Sequence, residues 1–142
     1  MALLFAADRM DHVEAEIEPF VAEGGVVLSD RYDASSLAYQ SVMSGQQGAS
    51  AVEWIRTLNR EAPRPDLTIV LDLSADAAAE RRSTRGEAAQ LYDQNEVQRA
   101  LVVFYRELAA HMPNDRVAIV NGAGGRDDVH ERIYAAYNAA FA

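Results

Sequence analysis

Apolar positions along the first twenty residues recur at helical spacing: Leu3, Ala6, Met10, Val13, Ile17 and Phe20, with Asp11, Glu14, Glu16 and Glu18 at solvated positions between them. This predicts a helix that ends at Gly24-Gly25, with Pro19 costing a hydrogen bond or kinking its last turn. Val26-Val27-Leu28-Ser29 reads as a strand that delivers Asp30-Arg31-Tyr32 at its carboxyl end, followed by a helix through about Val42. The loop 44–48 leads to a short amphipathic helix, Ala51 to Asn59, with Val52, Ile55 and Leu58 on one side. Two prolines in Glu61 to Asp66 make a connection into Leu67 to Leu73, an apolar run that predicts a strand buried on both faces. Ser74 caps an alanine-rich helix, Ala75 to Thr84. A helix from about Asn95 to His111 turns Leu101, Phe104, Tyr105 and Leu108 inward, and Pro113-Asn114-Asp115 leads into strand Val117 to Val120. A glycine-rich turn, Asn121 to Gly125, opens a last helix, Asp127 to Phe141. Strands alternating with helices predict an α/β protein with a parallel sheet.

Composition narrows the function classes. The 142 residues suit one domain spanning 1–142, and the formal net charge of −9 argues against a general nucleic-acid surface and against anionic membranes. All thirteen bases are arginine, so a phosphate ligand would be held by local guanidinium groups. Without cysteine there is no disulfide framework or thiolate metal site, and His12, His111 and His130 lie far apart. The opening apolar run is too short for a leader or a membrane span, and a soluble cytoplasmic protein is expected.

Candidate chemistry sits at strand ends, where open α/β sheets place ligands. Asp30 and Arg31 are adjacent, and in an extended segment they point to opposite faces, serving different parts of a phosphate-metal assembly or forming a surface ion pair. Phe5 and Arg9 share a helical face rotated roughly 100° off the core stripe. They suit a flat, polar-edged ligand, or are a packed ring beside a solvated base. Arg81, Arg82 and Arg85 form either a phosphoryl clamp or a solvated helix face. No G-x-x-x-x-G-K-[ST] motif occurs, and the absence of lysine forbids one.

The order of LLFAADR (3–9), DRYDASSLAYQ (30–40), PDLTIVLDL (65–73), an arginine-rich segment, LYD and Tyr105-Arg106-Glu107-Leu108-Ala109 resembles the thymidylate kinase family over essentially the whole chain. The resemblance implies a P-loop nucleoside monophosphate kinase fold lacking its first strand and P-loop, because the family reaches the motif matched by Leu3 to Arg9 only after them. It implies that Phe5 stacks on thymine and Arg9 bonds the carbonyl edge of the base. Arg31 would grip the dTMP phosphate, Ser35, Tyr39 and Gln40 would line the sugar and base pocket, and Asp30 would serve the magnesium end indirectly. Arg81, Arg82 and Arg85 would belong to the lid over ATP, Arg82 and Arg85 with a catalytic role, and Tyr92 to the aromatic of the segment after it. ATP and Mg2+ are the implied cofactors, and dTMP, ATP and a second copy of the chain the implied partners. The chain departs from the family pattern at Ser41-Val42, where glycines are usual, and at Leu91, where many members carry arginine. Two readings follow: the dTMP-binding, lid-bearing part of a dTMP kinase of dTTP synthesis, nearly inactive alone, or a non-catalytic nucleotide-binding or dimerising descendant.

Overall fold

The computed structural model describes residues 2–43, 48–85 and 95–142; the side chains of Arg82 and Arg85 lie outside the description, as do all of Tyr92 and Leu91. The chain is α/β and divides into two compact units, Met1–Arg64 and Pro65–Ala142.

The first unit is helical among its described residues. Helix α1 (Ala2–His12) continues through a π turn (Val13–Ile17) into α2 (Glu18–Ala22). The cause of the widened turn is Pro19, which has no N–H and whose ring crowds the carbonyl four residues back. The turn before it relaxes, so that the Glu18 N–H reaches the Val13 carbonyl five residues earlier. The helix ends where the sequence predicts: Gly24 sits at φ +85°, its N–H bonding Val21 O at 2.9 Å, while Gly25 N–H bonds Phe20 O at 3.0 Å. A Cβ at Gly25 would run into the Phe20 ring and carbonyl, so this stop tolerates no side chain. The expected stripe is buried at Ala6 and Val13, but Leu3 is 61% and Phe20 52% exposed, so the ends of the stripe face outward.

Val26 to Ser29 corrects the sequence expectation. The segment is not a strand, and Val26 is 81% and Leu28 96% exposed. Residues of high β-propensity become a strand only when a neighbour accepts their backbone bonds, and the two strands among the described residues pair with each other. Helix α3 (Asp33–Met43) then packs on α4 (Gly48–Leu58), with Leu37, Ala38 and Ile55 at their shared core.

The second unit holds β1 (Thr68–Asp72), α5 (Ala75–Arg85), α6 (Asn95–Arg106), α7 (Leu108–His111), β2 (Val117–Asn121) and α8 (Arg126–Phe141). β1 and β2 run parallel, Thr68 opposite Val117 and Asp72 opposite Asn121. Leu71 is 52% exposed, which corrects the expectation of a strand buried on both faces. A two-stranded sheet covers too little area to shield both sides of each strand. Ser74 caps α5 as expected, its Oγ accepting from Ala77 N–H at 3.2 Å. The single helix expected over Asn95 to His111 breaks at Glu107, where φ is −98° and ψ 9°, yet Leu101, Phe104 and Leu108 are all buried.

Just before β2, Arg116 reaches the far end of α8, donating from Nη1 to the Ala140 carbonyl with its guanidinium 5.5 Å from the Phe141 ring centre. A cation on the last carbonyls of a helix satisfies an orphan acceptor and the helix dipole together. Arg116→Ala is expected to cost about 0.5–1 kcal/mol, measured by urea denaturation followed by far-ultraviolet circular dichroism.

Candidate functional site

Two guanidinium groups in the first unit are each held against an aromatic ring. Arg9 lies one turn after Phe5 on α1, and its guanidinium carbon is 5.2 Å from the centre of the Tyr32 ring. Its Nη2 donates to Ser36 Oγ at 2.9 Å, and its Nη1 donates to Asn59 Oδ1. The Arg31 guanidinium carbon is 5.5 Å from the centre of the Tyr39 ring. Stacking of this kind holds a flat cation in place while leaving its edge available to a ligand.

The turn that carries Arg31 is conformationally costly. Arg31 has φ +72°, alone among the non-glycine residues described, whereas the sequence reading placed it in an extended segment. A side chain in the left-handed region costs about 1 kcal/mol or more, and such strain persists only where surrounding contacts enforce it. Ser29 Oγ donates to the Arg31 carbonyl at 2.9 Å from one side, and the Tyr39 ring holds the guanidinium from the other. The chain then enters α3 at Asp33, which turns Ser36 toward Arg9.

Below these groups lies a buried acid. Asp33 is 7% exposed and pairs through Oδ2 with Arg64 Nη1. It opens α3, so its charge also meets the positive end of the helix dipole. Burial lowers the Arg9 guanidinium from its ordinary pKa, and nearby Asp33 opposes that shift. Burial and then Asp33 raise the Tyr32 phenol, while Arg9 opposes the rise. Tyr32 therefore stays neutral at physiological pH, its hydroxyl donating to Pro63 O at 3.1 Å. Arginine is donor-only and always charged, so the site presents two fixed cations in a chain of net charge −9.

The remaining residues named from the sequence fall as follows. Phe5 is 48% exposed, Ser35, Tyr39 and Gln40 on α3 are half-buried, and Asp30 is exposed. A single exposed carboxylate suits a Mg2+ ion held mainly by water and phosphate oxygens. Among the described residues no three His, Asp or Glu side chains gather into an all-protein metal site. Sequence reasoning missed Ser36, Asp33, Asn59 and Arg64. Asn59 did leave a signal, because it continues the α4 stripe of Val52 and Ile55 at a spacing of three and then four. A polar residue on an apolar stripe needs a partner.

In the second unit, the turn after β2 is gripped by two further arginines. Arg81 Nη2 donates to the carbonyls of Gly122 (3.0 Å) and Gly124 (3.1 Å), while Arg132 Nη1 donates to those of Asn121 (2.6 Å) and Ala123 (2.7 Å). Gly124 lies at φ +99°, and the Asn121 side chain accepts from Ala123 N–H at 2.8 Å. Side-chain donors thus meet four successive carbonyls, residues 121–124, at the carboxyl edge of the sheet. Arg82 and Arg85 lie on the same helix as Arg81, α5.

A family model described as Thymidylate kinase matches residues 1–133. The chain is 42% identical over 134 residues to a protein named probable thymidylate kinase from Pyrococcus abyssi (strain GE5 / Orsay), covering 94% of this chain and 62% of that one. Identity is also 42% over 134 residues with the protein of that name from Pyrococcus horikoshii, again 94% and 62% of the two chains. It is 49% over 87 residues with one from Pyrobaculum aerophilum, 61% and 43% of the two chains. The chain therefore spans less than two thirds of the length of these relatives. Among its described residues no helix is long and apolar enough to cross a membrane.

Proposed function

Since the chain belongs to the thymidylate kinase family, we propose that its first unit is the dTMP-binding part of a kinase that makes dTDP for dTTP synthesis. The observation that carries this reading is the pair of ring-held guanidinium groups, Arg9 on Tyr32 and Arg31 on Tyr39, within one compact unit. Arg9 donates to a carbonyl edge of thymine and Phe5 stacks on the base. Arg31 binds the 5′-phosphate through paired, charge-assisted hydrogen bonds. Ser35, Tyr39 and Gln40 line the sugar and base pocket, and the Tyr39 ring excludes ribose by meeting its added hydroxyl. Asp30 stands at the magnesium and phosphate end.

In the parent reaction an oxygen of the dTMP phosphate attacks the γ-phosphorus of Mg-ATP, and the bond to the β-phosphate oxygen breaks, releasing ADP. Positioning and charge neutralisation supply most of such catalysis. Arg82 and Arg85 neutralise charge on the moving phosphoryl group, with Arg81 and Tyr92 in the same ATP-covering segment. The protein works as a cytoplasmic homodimer, for which the apolar stripes of the first and third predicted helices, now α1 and α4, supply contact surface. These 142 residues contain no phosphate-cradling lysine loop, and turnover by them alone is expected to fall far below the ~1–100 per second typical of kinases.

Calorimetric titration of the 142-residue chain with dTMP tests the reading directly. Saturable binding of dTMP, at least about tenfold tighter than that of its ribose counterpart, is expected, since a clash with one added hydroxyl is worth roughly 1.4 kcal/mol or more. Equal affinity for the two would remove the proposed role of Tyr39, and no binding of either would remove the acceptor site.

A further inference from the structure

Asn59 is 5% exposed and follows directly on α4, at the helix end where backbone carbonyls carry partial negative charge. Its side-chain Nδ2 donates to the Ile55 carbonyl at 2.7 Å. That bond decides the orientation of the amide: with the nitrogen on an acceptor, Oδ1 must face away from Ile55, and there it meets Arg9 Nη1. Ile55 itself is 1% exposed, so the anchoring carbonyl is fixed by the core. Asn59 lies outside every motif that carries the family resemblance.

The consequence for Arg9 is geometric. Asn59 holds one terminal nitrogen, Ser36 Oγ the other at 2.9 Å, and the Tyr32 ring fixes the plane. A guanidinium carries five N–H groups, and these bonds use two, leaving the others aimed in a set direction. We propose that Asn59 is a positioning residue that makes Arg9 discriminate between pyrimidine edges, an inference that rests on the reading of Arg9 as the base-recognising group. A carbonyl edge accepts from the fixed donors. An exocyclic amino group in the same place opposes donor to donor and leaves the guanidinium unsatisfied. That penalty exists only while Arg9 cannot swing aside. An Arg9 free of Asn59 would still attract the ligand but would discriminate less.

The test is a double-mutant cycle on the chain, comparing dTMP with deoxycytidine monophosphate, which carries an amino group where thymine has a carbonyl. Asn59→Leu is expected to weaken dTMP binding about tenfold, the scale of one hydrogen bond to a charged group, and to narrow the preference for dTMP by a similar factor. In an Arg9→Leu background the same substitution is expected to change neither quantity, because its effect passes through Arg9. Asn59→Leu that leaves the preference within twofold of wild type overturns the proposal, as does an equal loss in both backgrounds, the mark of a purely structural role. If Arg9→Leu alone leaves the preference intact, the base-recognition reading itself falls and takes this inference with it. Nitrogen-15 NMR of the Arg9 side chain gives a readout free of ligand and of variant folding. Resolved terminal nitrogens with slow rotation support the clamp, and a single averaged signal overturns it.

Discussion

Replacing Arg31 by glycine is expected to weaken dTMP binding about a hundredfold while changing the stability of the fold by less than about 1 kcal/mol. The two effects have separate origins in one residue. The loss of affinity follows from removing the group proposed to bind the phosphate, since a paired guanidinium–phosphate contact is worth roughly 2–3 kcal/mol. The preserved stability follows from φ +72° at this position. Glycine occupies that region without strain, which returns about 1 kcal/mol or more and offsets most of the lost Tyr39 contact and of the entropy glycine gains in the unfolded chain. Arg31→Ala is the informative companion: it loses the same affinity but keeps a Cβ in the left-handed region, and is expected to be less stable than the glycine variant by about 1 kcal/mol. Calorimetry and urea denaturation read the two quantities independently. Affinity of either variant within twofold of wild type would show that Arg31 does not hold the phosphate.

The second large effect is expected at Asp33, where the consequence is mainly on stability. Its carboxylate is almost wholly buried, pairs with Arg64 and stands near Arg9. Asp33→Ala would remove the buried carboxylate that faces both Arg64 and Arg9, and with it a negative charge from the first turn of α3. Breaking a fully buried pair costs roughly 3–5 kcal/mol. The Arg64 side chain is 40% exposed and can turn to water, which brings the expectation down to about 2 kcal/mol. Trp54 is the chain's one tryptophan and lies on α4, so its fluorescence during urea unfolding reports on the first unit. Asp33→Asn keeps a polar side chain at the helix start and is expected to lose about half as much, roughly 1 kcal/mol. A midpoint unchanged in the alanine variant would mean that the pair adds nothing to the fold.

These expectations draw on different layers of information. The helices were legible because their causes are local. The spacing of Leu101, Phe104 and Leu108 sets a buried face, Ser74 offers a cap, and Gly24-Gly25 lets the chain leave α2. The family motifs were legible too, as runs of residues in order, and they brought Phe5, Arg9, Arg31, Ser35, Tyr39 and Gln40 forward together.

Local pattern was enough for the helices, apart from the break at Glu107, for the parallel pairing of β1 with β2, and, through the order of the motifs, for the family. Which groups meet was settled by the tertiary structure. Arg9 meets residues 27 and 50 positions away, and Asp33 meets Arg64 31 positions away, separations at which no helical or strand period operates. It also decided that Val26 to Ser29 is not a strand, because strand formation depends on a neighbouring backbone and not on propensity alone. Likewise it placed Arg31 in the left-handed region, which its side chain disfavours and only the surrounding contacts sustain. Local hydrogen bonds and hydrophobic period are written residue by residue; the direction in which a guanidinium points is settled only when distant parts of the chain pack around it.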